Sequence, residues 1–328
     1  MRIAIVCGGL GAERDVSFRT ADAILHVLRA FDHDALLLLA DRDIDRALRK
    51  AAPDAAFVAL HGRSGEDGSV QGLLEAMAIP YTGPGVLACA LAGSKPSAKA
   101  VLRQHNLPVA PHYVVGPEGL ANLARRHGAF GLPVVVKPAT GGLSLGVSIV
   151  QDIADLEAAC AEALRLADAA LVERRVGGRE VVIALLDGRP LGAIDVSPSR
   201  GGLWDFRAKF GGGARATDHR PARLGAERMA GLHRLAERAA VALDLVGPAL
   251  VGLIAGDEDI VVGANPLPPL WPGSPFARIA ADAGLAFDHL VARLVGAARL
   301  RSCASRGERR VHREIFAGDE RRAGTDPH

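Results

Sequence analysis

The sequence predicts a mixed α/β protein that opens with a parallel sheet and continues through two further units, and three observations carry that expectation. Residues Ile3 to Cys7 form an apolar run, GGLGAERDVS follows at 8–17, and a helical pattern extends from Phe18 to Phe31. This order reads as strand, glycine loop and helix start. Ala35 to Leu39 and Ala55 to Leu60 are further apolar runs, each set apart by a helix-like segment. Strands apolar on both faces and joined through helices are those of a parallel sheet with covering helices. A second unit starts near Ser94 and holds strands at Val134 to Lys137, Ser148 to Val150 and Ala170 to Glu173. A third starts near Val181, with strands at Val181 to Leu186 and Pro190 to Val196, a helix from Glu227 to Leu243, and a hairpin at GDED, 256–259. No long repeat interrupts this order.

Composition narrows the partners. The 328 residues suffice for two or three packed units. Lys and Arg number 39 against 37 Asp and Glu, a net charge of +2, so nothing calls for nucleic acid or an anionic membrane and a small molecule is the expected partner. The first strand begins at Arg2 without a signal-like leader, and charges break every apolar run before about 18 residues. The chain therefore reads as soluble and cytoplasmic, with no membrane partner. Cys7, Cys89, Cys160 and Cys303 lack the spacing of a zinc site or disulfide framework and read as reduced, structural thiols. After residue 300 the chain turns charged and poor in apolar residues, and 301–328 reads as a frayed or disordered tail.

ALHGRSGEDGSVQGLLEAMAIPYTGPG, at 59–85, resembles the D-alanine–D-alanine ligases of the ATP-grasp superfamily. The likeness extends through GGLGAERDVS at 8–17, SKPSAK at 94–99, VVVKPATGGLSLGVS at 134–148, VERRVGGREV at 172–181 and LWDFRAKF at 203–210, in the family's order. It implies an ATP-grasp fold: a Rossmann-like parallel-sheet domain at 1–94, then α+β subdomains at 95–180 and 181–300 that clamp ATP. It implies a cytoplasmic homodimer and the joining of two D-alanines through an acyl phosphate, for peptidoglycan precursors.

The resemblance also implies roles. Glu13 would anchor the ammonium of the first D-alanine, suitable chemistry for a carboxylate facing a buried cation. Val16, Ser17 and His61 would surround the same substrate, and Ser274 would contact a substrate carboxylate. An acid at a helix start also stabilises the helix N-terminus, and a loop histidine is commonly held by hydrogen bonds. Lys95 and Lys137 would reach the ATP phosphates; Lys137 closes the apolar run Val134 to Val136 and needs an anionic partner or a path to solvent. The loop TGGLSLG at 140–146 resembles a lid that covers phosphates with backbone N–H groups. Where the family has two serines it carries Leu143 and Ser144, so only Ser144 keeps the hydroxyl. Glu173 and Glu180 would bind the adenine edge and ribose from a linker between subdomains. Lys209 would touch the terminal phosphate, and Phe210 replaces a tyrosine that helps position substrate.

GPALVGLIAGDEDIVVGANPLPPLWPGSPF, at 247–276, aligns without a gap to the family's C-terminal strand pair, and there the pattern fails. Pro248 stands for an arginine, Leu250 for an aspartate, Gly263 for a glutamate, and Pro269 for a glycine whose N–H serves an oxyanion. Asn265 alone remains of the metal ligands, which puts magnesium binding in doubt. Losing one oxyanion donor alone costs about a hundred- to a thousandfold in rate. Asp257, Glu258 and Asp259 fall in the hairpin turn, where solvated acids belong, whereas Asp195 and Asp205 are nearer in the family's layout. The sequence thus supports a catalytically impaired relative that keeps ATP or ADP and a D-alanine-like ligand. The alternatives are an active ligase of D-alanine or of another amino or hydroxy acid, and a regulatory or structural pseudoenzyme.

Overall fold

The computed structural model describes residues 1–9, 11–197, 217–219 and 222–301. Strands β1 (Arg2–Cys7), β2 (Asp34–Leu39) and β3 (Ala55–Val58) form a parallel sheet in the order β2-β1-β3. The connections are helices: α1 (Arg14–Ala30) joins β1 to β2, and α2 (Ile44–Ala51) joins β2 to β3. Both faces of β1 are covered, which explains its unbroken apolar run. Ile3 and Ile5 pack with Ile24 and Leu28 of α1, while Ala4 and Val6 pack with Leu48 of α2.

After α3 (Ser69–Ala76), α4 (Val86–Gly93) and α5 (Lys95–Gln104), a four-stranded antiparallel sheet follows. It is built from β4 (His112–Val115), β5 (Val134–Pro138), β6 (Ser148–Val150) and β7 (Ala170–Arg174), in the order β4-β7-β5-β6. Helix α6 (Leu123–His127) follows β4 in the chain. The sheet's buried side packs on α7 (Leu156–Leu164) through Leu156, Cys160 and Ala163.

A third, five-stranded antiparallel sheet has the order β10-β9-β8-β11-β12, from β8 (Arg179–Leu186), β9 (Arg189–Ser197), β10 (Thr217–His219), β11 (Pro248–Ala255) and β12 (Ile260–Asn265). Alternation assigns its faces. Val181, Ile183 and Leu185 of β8 pack with Leu232 and Ala236 of α8 (Ala226–Ala242). Val182, Ala184 and Leu186 point the other way, into a core shared with α1, β1, α9 (Pro275–Asp282) and α10 (Phe287–Gly296). That shared core seats the last sheet against the first.

The hairpin joins β11 to β12 where the sequence puts it, and its register pairs Leu250 with Asn265 and Gly252 with Gly263 before an irregularity at Gly252/Leu253. Helix α1 starts four residues before the expected Phe18, and β4 lies outside the strands the sequence reading assigned. Glu173 and Glu180 sit on strands β7 and β8 rather than in a linker; only 175–178 connect the two strands. Lys209, Phe210, Asp205, the loop at 211–216 and residues 302–328 lie outside the described residues. Among the described residues no helix is long and apolar enough to cross a membrane.

Candidate active site

The two antiparallel sheets contribute side chains to one cleft of about 580 Å³, which the loop at 141–145 and the start of α5 also line. Strand alternation decides what β11 shows to it. Leu250, Gly252 and Ile254 face the cleft, while Ala249, Val251, Leu253 and Ala255 belong to the core under α8.

Helix α5 starts at Lys95 because the Ser94 hydroxyl accepts the Ser97 N–H and Pro96 occupies the first turn. Lys95 and Lys99, one turn apart, share a helix face. The Lys95 ammonium donates to the carbonyls of Gly141 at 2.8 Å and Thr140 at 3.4 Å. Lys99 is 1 % exposed and pairs with Oε1 of Glu173, whose Oε2 pairs with Lys137. All three members of this clamp are buried. Burial alone would push the Glu173 carboxyl up, but the ammonium groups of Lys137 and Lys99 outweigh it and hold it below the usual range. Burial lowers Lys99 despite Glu173, and burial with the nearby Lys137 charge lowers Lys95 to about 7. Glu173 is thus a counter-ion to two lysines, an arrangement the adenine-edge expectation does not contain. Glu180 lines the same cleft from β8.

Glu13 occupies the N-cap position of α1, yet its side chain makes no cap hydrogen bond. Its buried carboxylate instead accepts the Gly142 N–H at 3.3 Å. It also lies against Gly62, where a Cβ would come within 2.5 Å of it, and Gly62 has a left-handed φ of 66°. Glycine at 62 is therefore required twice, by backbone and by space. Beside Glu13 lies Glu66, 5 % exposed, with one carboxylate oxygen lacking a hydrogen-bond partner among the described residues. Burial first, and then the Glu13 charge, push Glu66 up to about 7.

His61 is buried and tied on both sides. Its Nδ1 lies 3.0 Å from the Leu267 carbonyl, which can only accept, so Nδ1 carries the proton and Nε2 accepts from the Thr20 hydroxyl at 2.9 Å. Burial lowers its pKa to about 4, leaving a neutral ring that bridges α1 and the segment after β12. The Ser17 hydroxyl accepts the Gly8 N–H at 2.8 Å and donates to the Ala59 carbonyl at 2.6 Å. Ser274 caps α9, accepting the Ala277 and Trp271 N–H groups. Both hydroxyls thus have backbone partners.

Val16 packs with Leu143 and Trp271 in a small apolar cluster. Leu143 therefore closes by packing a place where the resemblance implies a hydroxyl. Leu143 and Ser144 both hold left-handed backbone, φ 55° and 61°, uncommon for residues with side chains and frequent where a loop is shaped for function. Ser144 lines the cleft.

Magnesium requires hard oxygen ligands. The wall where the resemblance implies them presents Leu250, Gly263, Asn265 and Pro269. Asn265 Oδ1 already accepts the Leu267 N–H at 2.8 Å. Asp195 is fully buried and paired with Arg179. Asp257 and Glu258 are exposed in the hairpin turn, and Asp259 pairs with Arg228. Among the described residues no group of three or more His, Cys, Asp or Glu side chains could hold a metal ion. These residues do not fit magnesium. Nor do the described cysteines fit covalent chemistry: burial pushes Cys7 and Cys160 up to about 11 and Cys89 higher still.

Sequence reasoning missed Glu66, Lys99 and Thr20. The four-residue spacing of Lys95 and Lys99 within SKPSAK was the one available signal for Lys99.

Comparison with known proteins agrees with this architecture. The chain matches the family model described as D-ala D-ala ligase C-terminus over residues 101–296 and that described as D-ala D-ala ligase N-terminus over 41–84. It is 41% identical over 303 residues to a D-alanine–D-alanine ligase of Anaeromyxobacter sp. (strain K), covering 92% of this chain and 98% of that protein. Crystal structures of the D-alanine–D-alanine ligase from Bacillus anthracis share its fold. One superimposes with TM-score 0.78 at 26% identity; another, complexed with ATP, gives 0.77 at 24%. Each covers 90% of this chain and 96% of that one. With this sequence likeness over nearly its whole length and an ATP-grasp fold in common, the chain belongs to the D-alanine–D-alanine ligase family.

Proposed function

We propose that this chain binds an adenine nucleotide in the cleft and a D-alanine-like amino acid beside Glu13, without catalysing the magnesium-dependent ligation for which its family is named. The observation that carries the reading is the β11–β12 wall. Leu250, Gly263 and Pro269 line the cleft, Pro248 begins β11, and the amide oxygen of Asn265 is bonded to backbone. Phosphoryl transfer depends on charge neutralisation at the transferred group, and this wall supplies no carboxylate to hold a metal, no arginine, and at Pro269 no N–H.

Other features support retained binding. The cleft volume suits a small ligand of nucleotide size. Lys95, Lys137 and the backbone N–H groups of the 140–146 loop are the groups that would hold phosphates. Glu180 would meet ribose hydroxyls, and Glu13 with Glu66 would receive an ammonium, chemistry that two adjacent buried carboxyls favour. Lys209 is a further candidate contact for the terminal phosphate.

A second reading, a working ligase of D-alanine or of another amino or hydroxy acid, draws on the retention of Glu13, His61, Lys95, Lys137 and Glu180 near one cleft. A thermal shift assay on dialysed full-length protein tests the binding reading. Nucleotide at about a hundredfold above its Kd should stabilise by about 2.7 kcal/mol. Absence of any shift with ATP, ADP and D-alanine would overturn it.

A further inference from the structure

Two buried carboxyls, Glu13 and Glu66, stand against the glycine-rich loop, and they differ in how they are satisfied. Glu13 accepts the Gly142 N–H at 3.3 Å and is enclosed by Gly11 and Gly62, where a Cβ would meet its carboxylate at 2.8 and 2.5 Å. Glu66 lines the cleft with its Oε2 3.1 Å from where a Cβ on Gly142 would stand, but its buried Oε1 has no hydrogen-bond partner among the described residues. The nearby donors are engaged elsewhere. His61 Nδ1, 3.9 Å from that oxygen, donates to the Leu267 carbonyl. The Lys95 ammonium, which has Lys137 and Glu173 on its other side, donates to the carbonyls of Gly141 and Thr140. Asp67 accepts the Ser64 and Ser69 N–H groups and adds further negative charge.

A buried carboxylate oxygen without a donor is costly, and beside a second carboxylate the acid form costs less. Burial first and the Glu13 charge next hold Glu66 toward that acid, at about 7 instead of 4.5. A bound ammonium reverses the balance, because it brings both N–H donors and a positive charge. We propose that Glu66 completes the ammonium site beside Glu13 by ionising when the ligand binds: its O–H bond breaks, the proton leaves to solvent, and the ligand's ammonium keeps all three hydrogens. The proposal rests on the amino-acid reading above and makes that site sensitive to pH. About nine in ten chains hold the Glu66 proton at pH 6 and about one in ten at pH 8, so a ligand that requires the carboxylate gains about tenfold in affinity. Over this interval His61, lowered to about 4, stays neutral, and burial keeps the Cys89 thiol protonated. Lys95, lowered to about 7 by burial and Lys137, also titrates there, and the test must separate it from Glu66.

Isothermal titration calorimetry of D-alanine into the full chain tests it, at about pH 6 and about pH 8, with Glu66→Gln in parallel. The native chain should bind about tenfold tighter at the higher pH, whereas the affinity of Glu66→Gln should change by less than about twofold. Every other charge of the cleft is common to the two proteins and cancels in the comparison. Native-chain heats at about pH 6.5 in MES and in imidazole, which differ in ionisation enthalpy, should show more than about half a proton released per D-alanine. Equal affinity at the two pH values, or heats independent of the buffer, would overturn the proposal and leave the amino-acid reading standing. A tenfold rise that persists in Glu66→Gln would also overturn it and place the proton on Lys95. If Glu66→Gln does not fold, the affinity ratio and proton count of the native chain decide alone. Failure of D-alanine to bind at either pH would overturn both the proposal and the amino-acid reading.

Discussion

Replacing Glu66 with glutamine should flatten the dependence of stability on pH. The Glu66 carboxyl is 5 % exposed and faces Glu13, Asp67, Lys95 and the neutral ring of His61, whose Nδ1 lies 3.9 Å away. Its pKa is pushed from 4.5 to about 7, first by burial and then by the Glu13 charge, with Lys95 pulling the other way. A carboxyl whose folded pKa lies above its unfolded value holds its proton more tightly when folded. Its stabilising contribution is complete below the unfolded value and is lost as pH rises through the folded one. At about 1.4 kcal/mol per unit, that loss is about 3 kcal/mol. Glutamine has the same shape and does not titrate in this range. Urea unfolding of both proteins, followed by far-UV circular dichroism at about pH 5 and about pH 8, yields the two pH differences. The native protein should lose about 2.5 kcal/mol more than Glu66→Gln across that interval, since at pH 5 the contribution is already short of complete. Taking this difference of differences removes any fixed effect of the amide. Equal pH differences, within about half a kcal/mol, would refute the assignment of Glu66 as a buried acid strained by Glu13.

Glu173→Ala should cost about 3–5 kcal/mol, because it strands the buried ammonium groups of Lys99 and Lys137. The check is a fall in the urea midpoint, and a loss under about 1 kcal/mol would contradict a tight clamp. His61, lowered by burial from 6.5 to about 4, contributes stability that is full above 6.5 and declines as pH falls toward 4. An NMR titration of its ring in the full chain should show it neutral at about pH 5, whereas a midpoint near 6.5 would mean that the ring reaches solvent.

Much of this architecture is legible because local pattern and tertiary environment agree. Ile3 to Cys7 is apolar throughout because β1 is buried on both faces, and the GDED turn separates two strands whose register places Leu250 opposite Asn265. That register is what makes the substituted wall readable from sequence, since alternation then assigns Leu250 to the cleft. Strand β4 escaped because HYVV is short and follows Pro108 and Pro111 closely. Lys99 reads as an ordinary helix lysine until Glu173, 74 residues later in the chain, is folded beside it. Glu66 lies in GEDG, a composition typical of a solvated turn. Only close packing buries it: Gly142 lies close against its carboxylate, and Gly93 against its backbone carbonyl. Glu13 and Ser274 stand in equivalent-looking places at helix starts. In the fold they differ, because Ser274 caps its helix and Glu13 reaches across to the 140–146 loop. Such distinctions depend on side-chain direction, which periodicity does not encode.

On the proposed reading the β11–β12 wall does not support magnesium-dependent ligation. This is tested most directly by measuring ADP and phosphate release from ATP by the full-length protein with magnesium and D-alanine, beside a Lys137→Ala control. Release no faster than in the control is the expected result. Release that depends on D-alanine and disappears in Lys137→Ala would contradict it and establish a working ligase.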